Sequence, residues 1–433
     1  MTYGVRVGVI DLAVSDESCG AKARQLGVLG RAGFDVPAGF VVTADVSVDD
    51  PAAAEQVAQA LDRLTRRAVA VRSSAGSEDG ATASFAGQLE SVLGVVGGEA
   101  VVAAVERCAT SGRTRRARSY AARVGVPTEE RVPVIVQQLV EADASGVAFT
   151  RDPVTGSTSV VVNASWGLGP SVVDGIVTPD TMTVGVDGRV ECILGSKTSR
   201  LDLVEGRLQR SDVPPGDRGR LCLSTALLRR LAREARRAER IVGWPLDVEW
   251  AVQGDQLWIL QARPITRTGP RATTPITPPV TPMTSMAAVT AVTPMAPVTP
   301  VTSTMRPDEG TPRAAGDTLL ISGTPSSPGR ATGPARLVHD VDDFVHVQRG
   351  DVLVCRTTDP AWTPLLSVVA AVVTETGGLL SHAAIVAREL GIPAVVGAAG
   401  ALAVVPSGRP VVVDGSRGTV SHAVARAREI LEP

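Results

Sequence analysis

Lysine is nearly missing from this chain. Of its 43 basic residues only Lys22 and Lys197 are lysine, and the rest are arginine. Lysine binds phosphate as a compact point charge, whereas arginine prefers planar, forked pairing. Both lysines are therefore candidate phosphate contacts; the alternative for Lys197 is chance survival on a solvated surface. Aromatics are also scarce, at 3% against a hydrophobic content of 44%, which leaves Val, Leu, Ala and Ile to build the cores. No apolar run is long enough to cross a bilayer, and MTYGVRVGVIDLAVSDE is too acidic and too short for a secretory leader. No membrane partner is expected. The five cysteines (Cys19, Cys108, Cys192, Cys222 and Cys355) show no metal-ligand spacing and do not pair evenly, so reduced thiols and a cytoplasmic location are expected. A net charge of −2 gives no reason to expect nucleic acid as a partner.

What is present is punctuation. A length of 433 residues suggests two or three domains, and the texture changes twice. The expected boundaries are 1–267, 268–315 and 316–433. The first segment mixes strand-like runs at 68–74, 132–140, 157–165 and 256–265 with helical patterns. One is an amphipathic helix from Ser224 to Val242, whose arginines alternate with Glu234 and Glu239 and read as a solvated face. The middle segment is rich in Thr, Pro and Val and has no charge between Ala272 and Met305. Proline at that density blocks helix and sheet, so it reads as a flexible linker, with a reach on the order of 140 Å if extended at ~3.1 Å per residue. The third segment alternates short apolar strands with a helix that begins at His382 and ends at Gly391 and Pro393, the small α/β pattern of an independent domain.

The loop Thr376-Glu-free-to-His382, TGGLLSH, has no carboxylate and is suited to an anion. Two glycines permit close backbone approach, Ser381 can cap the helix that follows, and His382 falls in its first turn, where the dipole favours negative charge. Imidazole there has a lone pair near neutral pH. Two readings stay open, a histidine that accepts phosphate and a histidine that merely caps a helix. Upstream, GAKARQLGVLGRAG reads as a helix with Lys22 near its start, and Ser84-Phe85-Ala86-Gly87-Gln88 as a small-residue loop able to cover phosphates. DVEWAVQGDQLWILQARPIT reads as two strands joined at Gly254-Asp255, which puts Glu249, Gln261 and Arg263 on neighbouring strands. Glu249 and Gln261 could offer oxygens to Mg²⁺ while Arg263 faces a phosphate; the alternative is a half-buried polar ladder.

These motifs, with VRSSAGSEDGATASFAGQLES, VQQLVEADASGVAFTRDPVTG, NASWGLGPSVVDGIVTPDT and GDVLVCRTTDPAWTPL, resemble in order those of the phosphoenolpyruvate synthase / pyruvate phosphate dikinase superfamily, which includes rifampicin phosphotransferases. The resemblance covers nearly everything outside the linker. It implies an α/β (α+β) fold: an ATP-grasp nucleotide-binding domain followed by a small swivelling phosphohistidine domain. It also implies that Lys22, Arg72, Arg116, Glu249, Gln261 and Arg263 bind ATP and its metal, with Glu249 and Gln261 on Mg²⁺. Gln137, Gln138, Leu139 and Val140 would form the strand edge beside adenine, and His382 would take the phosphate. The implied activity is a dikinase-type phosphotransfer in which the ATP β-phosphate passes through phosphohistidine to an acceptor, giving AMP and phosphate. Two departures stand out. Pro170 follows WGLG where the family commonly has glutamate, and the family's large acceptor domain does not fit within the linker. The site for the acceptor, a small molecule or a partner protein, is thus expected on another protein, on another copy of this chain or at the surface of these two domains. Two other functions fit the same residues: the nucleotide half of a split phosphoenolpyruvate synthase, and a non-catalytic phosphocarrier or regulatory protein, which Pro170 favours.

Overall fold

A computed structural model describes residues 8–65, 67–76, 89–114, 131–265, 318–359 and 362–423. The Thr/Pro-rich linker, the loop at 84–88 and Arg116 lie outside the described residues.

The first unit is built on two antiparallel sheets. One contains β1 (Val9–Asp11), β2 (Gly39–Val42), β3 (Val69–Ser73), β4 (Ser91–Val95) and β5 (Val134–Gln138) in the order β1-β2-β5-β3-β4. Its helices are α1 (Gly20–Arg31), α2 (Pro51–Leu64) and α3 (Gly98–Ala109). Proline at the first position of α2 and the Asp50 carboxylate, which accepts the Ala52 N–H at 3.1 Å, fix where that helix starts. Val57, Leu61, Val101, Val105 and Cys108 of α2 and α3 bury their apolar stripes on Val69, Val71, Val134 and Val136. The strand expected over 132–140 stops at Gln138, so Leu139 and Val140 belong to the connection beyond it.

The second sheet contains β6 (Ala144–Phe149), β7 (Val160–Trp166), β8 (Asp180–Val184) and β9 (Val190–Ile193), with β10 (Ser199–Val204) and β11 (Arg207–Asp212) forming a separate hairpin. Strands β12 (Leu246–Gln253) and β13 (Gln256–Pro264) complete it in the order β13-β12-β6-β7-β8-β9. A single turn, α4 (Pro170–Val173), follows β7, and α5 (Thr225–Val242) covers the far face. Ser224 caps α5 by accepting the Leu227 N–H, and Gly243, at φ 82°, ends it in the left-handed region. Its arginines are not simply solvated, as the alternation suggested. Arg230 donates to the Asp255 carbonyl at 2.9 Å, Arg236 donates to the Val184 and Gly185 carbonyls, and Arg237 lies over the Phe34 ring at 4.3 Å. The guanidinium forks staple α5 to both of its neighbours.

The second unit is one eight-stranded mixed sheet. Its strands are β14 (Leu319–Ser322), β15 (Thr324–Ser327), β16 (Arg330–Val338), β17 (Val352–Cys355), β18 (Ala371–Thr374), β19 (Ala394–Val396), β20 (Pro410–Asp414) and β21 (Thr419–His422), ordered β14-β21-β20-β16-β17-β18-β19-β15. Strands β16 to β19 run parallel, and their near-continuous Val and Leu content reflects burial on both faces. Only Gly323 separates β14 from β15, so the two edges of the sheet meet there. A Cβ at Gly323 would lie 2.6 Å from the Val396 carbonyl oxygen. Helix α6 (His382–Leu390) crosses between β18 and β19 and ends at Gly391, φ 69°.

Candidate active site

The two sheets of the first unit face each other across a cleft, and the second unit closes its mouth. The result is a cavity of about 590 Å³ lined by both units, within the usual size of a small-molecule site. Lys22, Arg72, Gln137, Gln138, Leu139, Val140, Glu249, Gln261, Arg263 and His382 all line it.

Each arrives there for a local reason. Gly20, at φ 78°, lets the start of α1 press on Ser74, where a Cβ would fall 1.4 Å from the Ser74 carbonyl oxygen. The Ala23 N–H then donates to Ser74 Oγ at 3.0 Å, which places the buried Lys22 beside the end of β3. Arg72, on β3, reaches across the cleft to Glu249 on β12, with Nη1 and Oε2 at 3.3 Å and both side chains mostly buried. Glu249 and Gln261 are direct cross-strand partners, next to a bulge between Glu249 and Trp250. Arg263 and Asp247 form the next pair, with Nε and Oδ2 at 2.9 Å. The Gly254-Asp255 turn is where the sequence places it.

The glutamines behave differently from their neighbours. Gln137 Nε2 donates to the Pro37 carbonyl at 2.9 Å, and Gln138 Nε2 donates to the Leu64 carbonyl at 3.0 Å. Their amides tie β5 to the surrounding loops, so the segment meets the cavity as a strand end rather than as reading side chains. Leu139, Val140, Ala142, Leu168, Ala251 and Leu260 make the apolar wall at that end. A flat ring fits such a wall, and the charged residues Lys22, Arg72, Glu249 and Arg263 line the same cavity.

His382 is 7% exposed and is the first residue of α6. Its ring is held from both sides: Nδ1 lies 2.9 Å from Thr358 Oγ1, and Nε2 lies 3.1 Å from Thr363 Oγ1. Ser381 occupies the N-cap position but does not cap; its hydroxyl turns back and donates to the Gly378 carbonyl at 2.9 Å. His339, His346 and His422 are exposed and take no part in the cavity.

Glu249 and Gln261 are neighbouring cavity-lining oxygen donors of the kind a divalent metal takes. Among the described residues no group of three or more His, Cys, Asp or Glu is gathered as a metal cage. Two hard oxygens from one strand pair match the sparse protein ligation of Mg²⁺, whose other positions go to phosphate and water. Pro170 begins α4 and lines the cavity, as does Asp174 one helical turn later. Burial in the cleft pushes the Asp174 carboxyl above the usual carboxylate range, with Arg210 opposing and Glu249 adding to the shift, although the residue as a whole stays solvent-exposed. A carboxylate is therefore present on this wall despite Pro170, four positions further along. The sequence reading missed it, as it missed Thr358 and Thr363; the i, i+4 spacing from Pro170 was the only available signal for Asp174.

Lys197 is a correction to both sequence readings. It is fully buried, lies away from the cavity, and pairs with Asp180, whose carboxylate also accepts the Gly195 and Cys222 N–H groups at 2.9 Å each.

Comparison with known proteins agrees with this geometry. Residues 50–281 match the pyruvate phosphate dikinase, AMP/ATP-binding domain, and residues 347–418, which include His382, match the PEP-utilising enzyme, mobile domain. The chain belongs to the phosphoenolpyruvate synthase / pyruvate phosphate dikinase superfamily. It is 35% identical over 368 residues to a probable phosphoenolpyruvate synthase of Archaeoglobus fulgidus, covering 84% of this chain and 45% of the relative. Against a probable phosphoenolpyruvate synthase of Methanothermobacter thermautotrophicus the identity is 32%, with 93% and 61% covered. Against the phosphoenolpyruvate synthase of Pyrococcus furiosus it is 34%, with 88% and 45% covered. The chain thus spans about half the length of the relatives it matches. The mixed α/β fold expected from the sequence is the one observed. No helix among the described residues is long and apolar enough to cross a membrane.

Proposed function

We propose that this chain is an ATP-dependent phosphotransferase of the dikinase type that carries the phosphoryl group on His382. One observation carries the reading: His382 shares a single cavity with Lys22, Arg72, Glu249, Gln261 and Arg263, although it comes from a separately folded unit. The apolar wall receives adenine, and the cationic side chains of Lys22 and Arg263 receive the triphosphate. Glu249 and Gln261 hold Mg²⁺, which when bound neutralises charge on the phosphate oxygens and orients them.

The chain's own residues then do the following. Lys22 and Arg263 fix the phosphate tail, and Arg72 holds the Glu249 carboxylate in place from the opposite sheet. An imidazole nitrogen of His382 attacks the β-phosphorus, and the bond from that phosphorus to the oxygen retained by AMP breaks. Water takes up the γ-phosphoryl group as inorganic phosphate. ATP, water and His382 thereby give AMP, phosphate and phosphohistidine. The start of α6 favours the added negative charge. The phosphoryl group passes next to an acceptor, a small molecule or a site on a partner protein, and the 268–315 segment acts as the tether for that movement. Asp174 keeps a carboxylate on the wall where Pro170 removes one, which favours the catalytic reading over a non-catalytic carrier.

The test uses ATP labelled separately at the β and γ positions, with Mg²⁺ and the full chain. The β label is expected on the protein, the γ label in inorganic phosphate, and AMP in stoichiometric amount. His382→Ala should abolish protein labelling. Labelling that survives His382→Ala, or ADP as the nucleotide product, sinks the proposal.

A further inference from the structure

The glycine pair before His382 has a different neighbour from the one its sequence suggests. A Cβ built on Gly378 would lie 2.6 Å from Cγ and 3.0 Å from Cδ of Pro179, and 3.2 Å from Asn163 Oδ1. All three atoms belong to the other folded unit. Gly378 has no left-handed backbone to explain it, since only Gly377 of the pair does, at φ 108°. What requires the missing side chain is contact between units.

The surrounding contacts bear on the same loop. Asn163, fully buried on β7, donates from Nδ2 to Thr181 Oγ1 at 2.9 Å, which leaves Oδ1 facing out of the sheet. Oδ1 accepts the Leu379 N–H at 3.1 Å. The Gly175 carbonyl accepts the Thr376 hydroxyl at 2.8 Å. Leu379, Leu380 and Ile385 pack into Val147, Phe149 and Val161, forming an apolar cluster shared by the two units. The loop is thus held at its start by Gly175 and in its middle by Pro179 and Asn163, just before the helix that His382 opens.

We propose that Gly378, Pro179 and Asn163 are positioning residues that register His382 over the cavity. Steric fit at Gly378 sets how closely the two units approach, and the Asn163 hydrogen bond sets the height of the loop. This rests on the phosphotransfer reading of His382 for its purpose but not for its detection. The segment Leu168–Pro179 serves both partners, since its first half lines the cavity and its second half receives the loop.

The test compares the full chain with Gly378→Ala by hydrogen exchange and by β-labelling of His382. The three atoms nearest a Cβ at Gly378 all lie across the interface, so the second unit should fold unchanged. Overpacking of this kind is expected to speed exchange on the order of tenfold, both in 376–385 and, across the interface, in 161–181. Labelling of His382 should fall by a similar factor. Pro179→Ala, which removes the obstructing Cγ and Cδ, should restore both in the Gly378→Ala background. Asn163→Leu, which leaves the Leu379 N–H unpaired only when the units are docked, should reproduce the loss. Exchange confined to the second unit, labelling that persists at full rate, or failure of Pro179→Ala to rescue would each overturn the proposal. If the wild-type chain takes no label, the phosphotransfer reading fails, and the exchange measurements and rescue still decide the registration.

Discussion

Replacing Lys197 with methionine tests whether one of the two lysines is a structural ion or a ligand contact. Lys197 and Asp180 are both fully buried, and Asp180 also accepts from the Gly195 and Cys222 backbone N–H groups and bonds the Cys222 thiol. Removing the ammonium leaves a carboxylate in the interior with neutral donors and no compensating charge. Breaking a buried pair by deleting one partner costs about 3–5 kcal/mol. At about 2–4 °C per kcal/mol for a unit of this size, the melting temperature should fall by roughly 6–20 °C. Lys197→Arg should not rescue it, because a planar fork cannot occupy a site shaped for a compact ammonium. Adding Asp180→Asn to Lys197→Met should recover part of the loss, since a neutral pair carries no uncompensated charge.

The same substitution has a functional reach that a surface lysine would lack. Asp180 directly follows Pro179, and a Cβ on Gly195 would fall 2.3 Å from the Pro179 carbonyl. The pair therefore supports the surface that receives the His382 loop. Calorimetry on the full chain gives the melting temperature, and ATP titration gives the affinity. A fall in ATP affinity with a melting temperature unchanged to within about 2 °C would refute the reasoning and return Lys197 to a phosphate-binding role.

Three other outcomes follow from the same packing. Arg72→Met should weaken ATP·Mg²⁺ binding at least tenfold, about 1.4 kcal/mol, because Glu249 loses its cross-cleft partner; an unchanged affinity by calorimetric titration would remove Arg72 from the site. In native protein Cys192 should react ahead of the other thiols, because it is exposed whereas Cys19, Cys108, Cys222 and Cys355 are buried; all five should react after denaturation, and more than one fast thiol in the native state would contradict the packing. The Arg131 guanidinium, bonded to both Glu106 oxygens at 2.7 and 2.8 Å, holds that carboxyl below its ordinary value of 4.5. Its stabilisation is therefore present above pH 4.5 and lost as pH falls through the lowered value, so Glu106→Gln should cost on the order of 1 kcal/mol at pH 7 and nothing in strong acid, read as the difference in melting temperature.

The parts of the site that the sequence revealed are those whose signal is local. The strand pair carrying Glu249, Gln261 and Arg263 was legible because a Gly-Asp turn between two apolar runs fixes the register and therefore the neighbours. His382 was legible because a glycine loop, a serine and a Gly-Ile-Pro stop bracket one short helix. What escaped depends on contacts between distant segments. Nothing near Lys197 announces Asp180, which lies 17 residues away and meets it only once β8 and the segment before β10 are packed. The arginines of α5 read as solvated because their acceptors are carbonyls of other elements, which leave no mark in the helix sequence. Thr358 and Thr363 look like ordinary turn residues until α6 brings the imidazole between them.

The glycine loop shows most sharply how a correct local reading can miss its cause. Two glycines before a helix imply a backbone that something approaches closely, and that much holds. The sequence points to an anion, because a helix start and a nucleophile lie within four residues. The structure puts Pro179 and Asn163 against Gly378 and packs Leu379 with Val147, Phe149 and Val161, while the imidazole of His382 lines the cavity. The loop therefore has two sides with separate duties, one fitted to protein and the other open to ligand. On the proposed phosphotransfer, His382 leaves one site and returns to it, and so faces a positioning problem on every cycle. Bare glycine backbone seated against a proline ring solves that problem with less variability than two flexible side chains would, because neither has a freely rotating side chain to reset. By this reasoning the cost of a methyl group at Gly378 should appear as lost docking rather than as lost affinity for the nucleotide.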